Sequence, residues 1–342
     1  MKAVVKYEKG PGNVALLDVP TPTPAPDQVL LEVTCCGICG TDLHVYHDTF
    51  RNYPPVILGH EFVGTVVERG SAVTDVPLGS QHAVLGAIAV QCGQCRYCRS
   101  GEFMFCPNRR GMGHGVNGAF ARYAVARPGQ LFAVPVSVPT EDASLVEPLA
   151  AAVHAVCDVA RFKLGDVALV SGPGPIGLLV VKLLATQGIE TIVAGTSADA
   201  MRLEHATAFG AARTVVVNQE SLADVIAEAT DGQGADIVFE VAGAEASVRA
   251  CMDALRPLGH YVQVGHFGKD LTVPWDHIAF RQLRIDGSVG YTRDTWTQTL
   301  RILAQGRLTV GDLITHRFQL AEWQTAFDLM ERQQALKILL MP

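Results

Sequence analysis

VALVSGPGPIG, residues 167–177, decides the fold. DVALVSG (166–172) reads as a buried-type strand, and PIGLLVVKLLATQG (175–188) continues as a helix closed by a glycine. Between them Gly172, Gly174 and Gly177 form G-x-G-x-x-G at a strand-to-helix turn, with Pro175 and Ile176 opening the helix. Such a turn binds a dinucleotide diphosphate: the first glycine permits the bend, the second admits the pyrophosphate to the backbone, and the third lets helix and strand pack. The helix N-terminus then faces the anion with unpaired N–H groups.

The pattern continues downstream. TIVAGT (191–196), RTVVVN (213–218), ADIVFEVAG (235–243) and YVQVGH (261–266) read as strands. ADAMRLEHATAFGA (198–211) and a segment around 220–230 read as helices. Strands alternating with helices predict a parallel, doubly wound α/β sheet. Within it, IVAGTSADAMR (192–202) places Gly195, Thr196 and Ser197 where an NAD enzyme carries an acid against the adenosine ribose. Without that acid nothing repels a 2′-phosphate, and Arg202 offers a guanidinium fork. In the plainer reading Ser197 caps the next helix, Asp199 favours its dipole or turns back to the ribose, and Arg202 is solvated. The balance favours NADP, or use of both cofactors.

Residues 1 to about 145 differ in texture. QVLLEVTCC (28–36), FVGTVVERG (62–70) and AFARYAVA (119–126) are short β-like runs among Gly and Pro, and VPTPTPAP (19–26) is an extended lead-in. These predict an irregular β-barrel-like domain. From about residue 290 a helix, ITHRFQL (314–320), another helix and ALKILLMP (335–342) are expected to return and pack on that first domain. The net charge of −7 across 342 residues, with Lys and Arg unclustered, argues against a nucleic-acid partner. No apolar run nears the ~20 residues of a membrane span, and no export signal is visible, so a cytoplasmic protein is expected.

In that compartment nine cysteines should stay reduced, and their spacing is read for metal first. Cys92-x2-Cys95-x2-Cys98-x7-Cys106 puts four thiols in one loop, which suits a closed structural zinc site. A redox CxxC would leave two of them unexplained. The second set is dispersed: Cys39, Thr41, Asp42 and His44 in GICGTDLH, His60 and Glu61 in LGHEF, and Glu147 in SLVEPLA. One thiolate, one imidazole and one carboxylate make a zinc site that keeps a position open for substrate. Asp42 suits the free nitrogen of His60, while Thr41 and His44 could pass a proton to solvent. Cys35 and Cys36 read as core thiols. Tyr46, His47, Phe50 and His114 border the pocket or simply pack.

With GICGTDLH, LGHEFVGTVVERG, the four-cysteine lobe, VEPLA and GPGPIG, the chain resembles the zinc-dependent medium-chain alcohol dehydrogenases from end to end, in the sorbitol, polyol and threonine dehydrogenase branch. The resemblance implies a GroES-like catalytic domain over 1–148, completed by 290–342, and a Rossmann domain over 149–289, with the active site in the cleft between them. It implies one catalytic and one structural zinc, NAD(P), a small alcohol or ketone substrate and a homodimer or homotetramer. Cys39 and His60 then bind catalytic zinc, with Glu61 or Glu147 as the carboxylate. Thr41 and His44 fall on the relay positions. Val264, Gly265, His266, Ser288 and Val289 match the segments lining the nicotinamide end. Arg122 stands where an acid often precedes Tyr123. The implied reaction is reversible oxidation of an alcohol. A zinc-independent quinone reductase would lack both cysteine-bearing sites.

Overall fold

The computed structural model describes residues 1–342 and divides into two compact units, Leu149–Tyr291 and Met1–Pro148 with Thr292–Pro342. The first of these is the α/β unit. Its six strands are all parallel and lie in the order Arg213–Val216, Glu190–Gly195, Val167–Ser171, Ala235–Glu240, Leu255–Gln263, Arg284–Gly287. Counted along the chain this is the Rossmann order, reversing beside Val167–Ser171, where ligands bind at the carboxyl ends of the strands. Val167–Ser171 is buried at every position, as a strand covered on both faces must be. The helix Pro175–Thr186 that follows is buried from Gly177 to Leu184.

Three elements here escape the sequence pattern, the helices Glu245–Ala254 and Trp275–Arg281 and the strand Arg284–Gly287. That strand, RIDG, lies at the sheet edge and is mostly exposed, so it carries neither a buried run nor a clean alternation.

The other unit is built on the strand Val29–Gly37. It pairs antiparallel with Glu61–Arg69, with Tyr123–Ala126 and with the C-terminal strand Lys337–Met341. The sheet continues through Gln81–Val84 to Leu131–Ala133 on one side and Ile314–Gln319 on the other. The tail is therefore part of the first domain's sheet: Leu339 lies opposite Gly37, and Leu340 opposite Cys36. Its Trp323, Phe327, Ile338 and Leu340 share one core with Val4, Leu31, Phe62 and Phe120. AFARYAVA is a strand only from Tyr123. Before it, Phe120 spends its N–H on Leu58 and its carbonyl on Val4, which ties the segment to the start of the chain instead. No helix is long and apolar enough to cross a membrane.

Candidate active site

The four thiols of the lobe converge. Ligand atoms of Cys92, Cys95, Cys98 and Cys106 all lie within 4.8 Å of one another. Sγ of Cys92 is 3.7 Å from that of Cys106 and 4.0 Å from that of Cys98. A tetrahedron with Zn–S bonds of about 2.3 Å has edges of roughly 3.8 Å, so the spacing fits one zinc ion and no disulfide. Backbone N–H groups of Cys95, Cys98 and Cys92 donate to Cys92, Cys95 and Cys106 at 3.3, 3.4 and 3.5 Å. Chiefly through the N–H groups of Cys95 and Gln94, the Cys92 thiol is pulled down to about 6. Desolvation and its neighbouring thiols push Cys98 up to about 12. Negative charge gathered on one sulfur and refused by the next is what a closed thiol set shows before a cation joins it.

The second site is assembled from three separate places. Cys39 caps the helix Gly40–Tyr46, where its Sγ accepts from the Thr41 N–H at 3.5 Å. Asp42, almost wholly buried, closes the capping box by accepting from the Cys39 N–H at 2.9 Å. Its other oxygen accepts from the Gly59 N–H at 3.2 Å and faces Nδ1 of His60 at 3.6 Å. One carboxylate thus fixes both segments that carry ligands. Glu61 begins the strand beside Val29–Gly37, and the three donor atoms of Cys39, His60 and Glu61 lie within 4.8 Å of one another. Burial opposes a charge on His60, but Asp42 and Cys39 outweigh it and hold the imidazole well above its ordinary pKa. A half-buried thiol and imidazole converging on a buried carboxylate, with Nδ1 of His60 otherwise unpartnered, is a donor set suited to zinc.

Lys337 is the residue that sequence reasoning missed. Its ammonium, 2% exposed, donates to the carbonyl of Ile38 at 2.9 Å and to Oε2 of Glu61, which is 1% exposed. Burial lowers its pKa, and Glu61, Cys39 and Glu147 more than restore it. The one signal in the sequence is a lysine opening the otherwise apolar strand KILLM. Gly37 leaves room for the pair: a Cβ there would lie 2.5 Å from Oε2 of Glu61.

Of the other expected residues, Glu147 is half-buried at the start of the helix Val146–Val153 and stands outside the set of three. His44 is exposed, its Nδ1 3.1 Å from the hydroxyl of Thr49. Tyr46 packs edge-on to Trp323 and Phe327, and His47 pairs with Glu331. Phe50 meets His114 edge-to-face at 5.2 Å. Cys35 and Cys36 are fully buried. Arg122 pairs with Glu32 at 3.0 Å, an exposed cross-strand contact.

In the α/β unit the glycine turn has the expected shape. Gly172 has φ +104°, and a Cβ there would strike Ala242 at 2.6 Å, while one at Gly177 would lie 2.0 Å from the carbonyl oxygen of Gly172. At Gly174, the cap of the helix, nothing lies within 4 Å of an added Cβ. That is the space a pyrophosphate needs in front of a helix N-terminus. Gly195 packs on Pro173 of this turn. Asp199 accepts from the N–H and hydroxyl of Thr196 at 3.0 and 2.9 Å, and Arg202 lies 3.4 Å from its other oxygen. Ser197 is bonded to Asn218 through both its N–H and its hydroxyl. Buried Glu240 accepts from Gln263 and Gly243, and its carbonyl takes the N–H groups of Val264 and Gly265. Ser288 donates its N–H to the Gln263 carbonyl at 2.8 Å, which brings it beside these segments. His266 and Val289 are exposed.

Comparison with known proteins agrees with both units. Residues 25–136 match the alcohol dehydrogenase GroES-like domain, and residues 175–305 match the zinc-binding dehydrogenase domain. The chain is 35% identical to sorbitol dehydrogenase of Halalkalibacterium halodurans, over 100% of this chain and 99% of that one. D-arabitol-phosphate dehydrogenase of Enterococcus avium is 35% identical, over 99% and 97%. L-threonine 3-dehydrogenase of Xanthomonas campestris is 36% identical, over 99% of each. Among solved structures, a zinc-binding dehydrogenase of Sinorhizobium meliloti bound to NADP superposes with TM-score 0.91 at 32% identity, over 100% and 99%. An Escherichia coli alcohol dehydrogenase complexed with NADH gives 0.91 at 27%, over 100% and 99%.

Proposed function

The chain belongs to the zinc-dependent medium-chain alcohol dehydrogenase family, in its polyol and threonine dehydrogenase branch, and we propose that it interconverts a polyol or other secondary alcohol with its ketone. The observation that carries this reading is the convergence of half-buried Cys39 and His60 on buried Glu61. These three are the residues proposed to hold the catalytic zinc, with Glu61 preferred to Glu147 because it stands with the other two donors. Bound there, zinc would supply Lewis acidity toward an alcohol or carbonyl oxygen, and NAD(P), held at the Gly172–Gly177 turn, would supply the hydride acceptor or donor. The chain's own residues position and carry the proton. Asp42 holds Cys39 and His60 in register, and Lys337 holds Glu61. Thr41 stands in the first turn beside Cys39, and His44, exposed and bonded to Thr49, delivers the proton to solvent.

The four-cysteine lobe is proposed to hold a second, structural zinc. A homodimer or homotetramer in the cytoplasm is the expected setting, and light scattering decides the assembly. Threonine oxidation is the second reading, favoured by the threonine dehydrogenase similarity. Turnover of a panel of polyols, simple secondary alcohols and L-threonine, measured beside the zinc content, tests the assignment. Full activity in a preparation free of zinc would overturn it.

For the cofactor we propose that both NADP and NAD serve, with NADP ahead. Gly195, Thr196 and Ser197 present no acid to the 2′-phosphate. Asp199 in the same turn is tied to Thr196 and faces the Arg202 guanidinium at 3.4 Å. The expected preference in kcat/KM is below about tenfold, the size of one charge-assisted contact. It should reverse toward NAD in Arg202→Ala. A large NAD preference unchanged by that substitution would defeat the reading.

A further inference from the structure

The turn Gly195–Ser197 has fewer hydrogen bonds to give than its composition implies. Thr196 donates its hydroxyl to the Asp199 carboxylate at 2.9 Å and its N–H to the same oxygen at 3.0 Å. The Ser197 N–H is also taken, by Oδ1 of Asn218 at 2.9 Å. Only the Ser197 hydroxyl differs. Its Oγ accepts from Nδ2 of Asn218 at 2.9 Å, which leaves its own proton unspent. Ser197 is exposed, so that proton is available to a ligand in front of the turn.

The direction of this pairing is fixed by chemistry. A backbone N–H can only donate, so the amide atom facing that of Ser197 must be the oxygen, and the amide nitrogen is left opposite the hydroxyl. A donor in that place makes the hydroxyl accept and aim its proton elsewhere. Asn218 is itself held by its own strand end. It follows the strand Arg213–Val216, and the pairing of that strand with Glu190–Gly195 is extended by the Val217 N–H on the Gly195 carbonyl at 2.9 Å. The Val216 carbonyl then accepts from the N–H groups of Gln219 and Glu220 at 2.8 and 3.0 Å. The Val216 N–H donates to Oε1 of Glu220 at 3.1 Å. The turn that carries Asn218 is thus closed by its own bonds before any ligand arrives.

What this arrangement sets is a polarity. A 2′-phosphate offers only acceptors, whereas a ribose 2′-hydroxyl gives as well as takes, and the acid of an NAD enzyme takes from it. With Asn218 in place, Ser197 presents a donor in the turn where that acid would stand. An aspartate at 218 would still satisfy the Ser197 N–H, but its second oxygen would draw the hydroxyl proton inward and leave only lone pairs facing the ligand. We propose that Asn218 is a positioning residue for cofactor choice, holding the Ser197 hydroxyl as a donor toward the 2′-phosphate of NADP. The inference rests on the reading that NADP is used ahead of NAD, and adds to it a residue from the neighbouring strand.

The test measures the dissociation constants of NADPH and NADH by fluorescence titration with no alcohol present, so that turnover plays no part. Ser197→Ala should lower the affinity ratio of NADPH to NADH about tenfold, the worth of one charge-assisted bond. Asn218→Asp in the wild type should lower it by about tenfold or more. In the Ser197→Ala background the same change should lower it by no more than about threefold, the share of the added, solvent-screened charge. That charge acts in both backgrounds, so the gap between the two falls is the part carried through the hydroxyl. High salt should shrink the fall in Ser197→Ala and preserve the gap. Equal falls in the two backgrounds overturn the proposal. So does a loss of NADPH and NADH binding in equal measure, which would make Asn218 a tie for the loop alone. A wild type that binds NADH more tightly removes the NADP reading, while a gap between the backgrounds still sustains the role of Asn218, so the two fail separately.

Discussion

The four-cysteine lobe and the Cys39–His60–Glu61 site both gather metal-ligating side chains, by opposite routes. The lobe takes all its ligands from one loop, lets backbone N–H groups polarise them, and leaves most of them partly exposed. The second site takes a helix cap, the start of a strand and the residue before it. It buries Glu61 and braces the set from outside with Asp42 and Lys337. Uniform thiols from a single loop suit a closed, load-carrying site. Mixed donors on separate elements, held by a second layer, suit a site that must keep one position open.

The comparison breaks most visibly if ligands are removed from each site in turn. Cys39→Ser or His60→Ala should lower kcat/KM by about a thousandfold or more, well beyond the 10–100-fold typical of groups that only orient ligands. The Tm should move little, because the surrounding strands keep their pairing. Cys98→Ser in the lobe should do the reverse. It should release one zinc per chain and lower the Tm, with kcat of the folded fraction within about threefold of wild type. Zinc analysis, calorimetry and steady-state kinetics on the same preparations read all three quantities. A lobe variant that stays folded and loses activity as Cys39→Ser does would erase the distinction.

A smaller effect probes the bracing. Lys337→Met removes the cation from a pair whose members are 2% and 1% exposed and leaves Glu61 buried without its partner. Breaking such a pair from one side costs about 3 kcal/mol or more, measurable by urea denaturation. Lys337→Arg keeps the charge and should recover most of the loss. Equal stability of Lys337→Met and wild type would mean that Glu61 does not depend on the tail.

These contrasts also explain what could be read in advance. The glycine turn and the lobe are local: Gly172, Gly174 and Gly177 act within one strand–helix junction, and four cysteines close one loop, so adjacency in sequence is adjacency in space. Asp42 was legible because a capping box and a ligand brace both place an acid three residues after Cys39. Lys337 was not, because its partner Glu61 lies 276 positions away and only the return of the tail strand joins them. The choice between Glu61 and Glu147 was equally beyond spacing, since it depends on which carboxylate faces Cys39 and His60 once the sheet has closed. Asp199 shows the same limit at short range. Its place in the turn was plain, but that its two oxygens serve Thr196 and Arg202 is a matter of side-chain geometry.

The smallest effect concerns His114, in the turn at residues 111–115 that packs against Gly59. Burial and the surrounding cations hold its folded pKa at about 3, against 6.5 for an ordinary imidazole. The sign follows from proton counting. Above pH 6.5 neither folded nor unfolded chain protonates it, and its contribution is constant. As pH falls below 6.5 the unfolded chain binds a proton that the folded chain refuses, so stability falls until the folded pKa is reached. The slope from this one group is at most about 1.4 kcal/mol per pH unit. Replacing it by His114→Gln should flatten the acid limb of the stability curve between pH 6 and pH 4 by roughly that much. Both lobe thiols and carboxylates titrate identically in the two proteins and cancel in the difference, so urea midpoints at three pH values isolate the histidine. Parallel curves for His114→Gln and wild type would show that the ring takes up its proton as freely in the fold as in the unfolded chain, and that water reaches it.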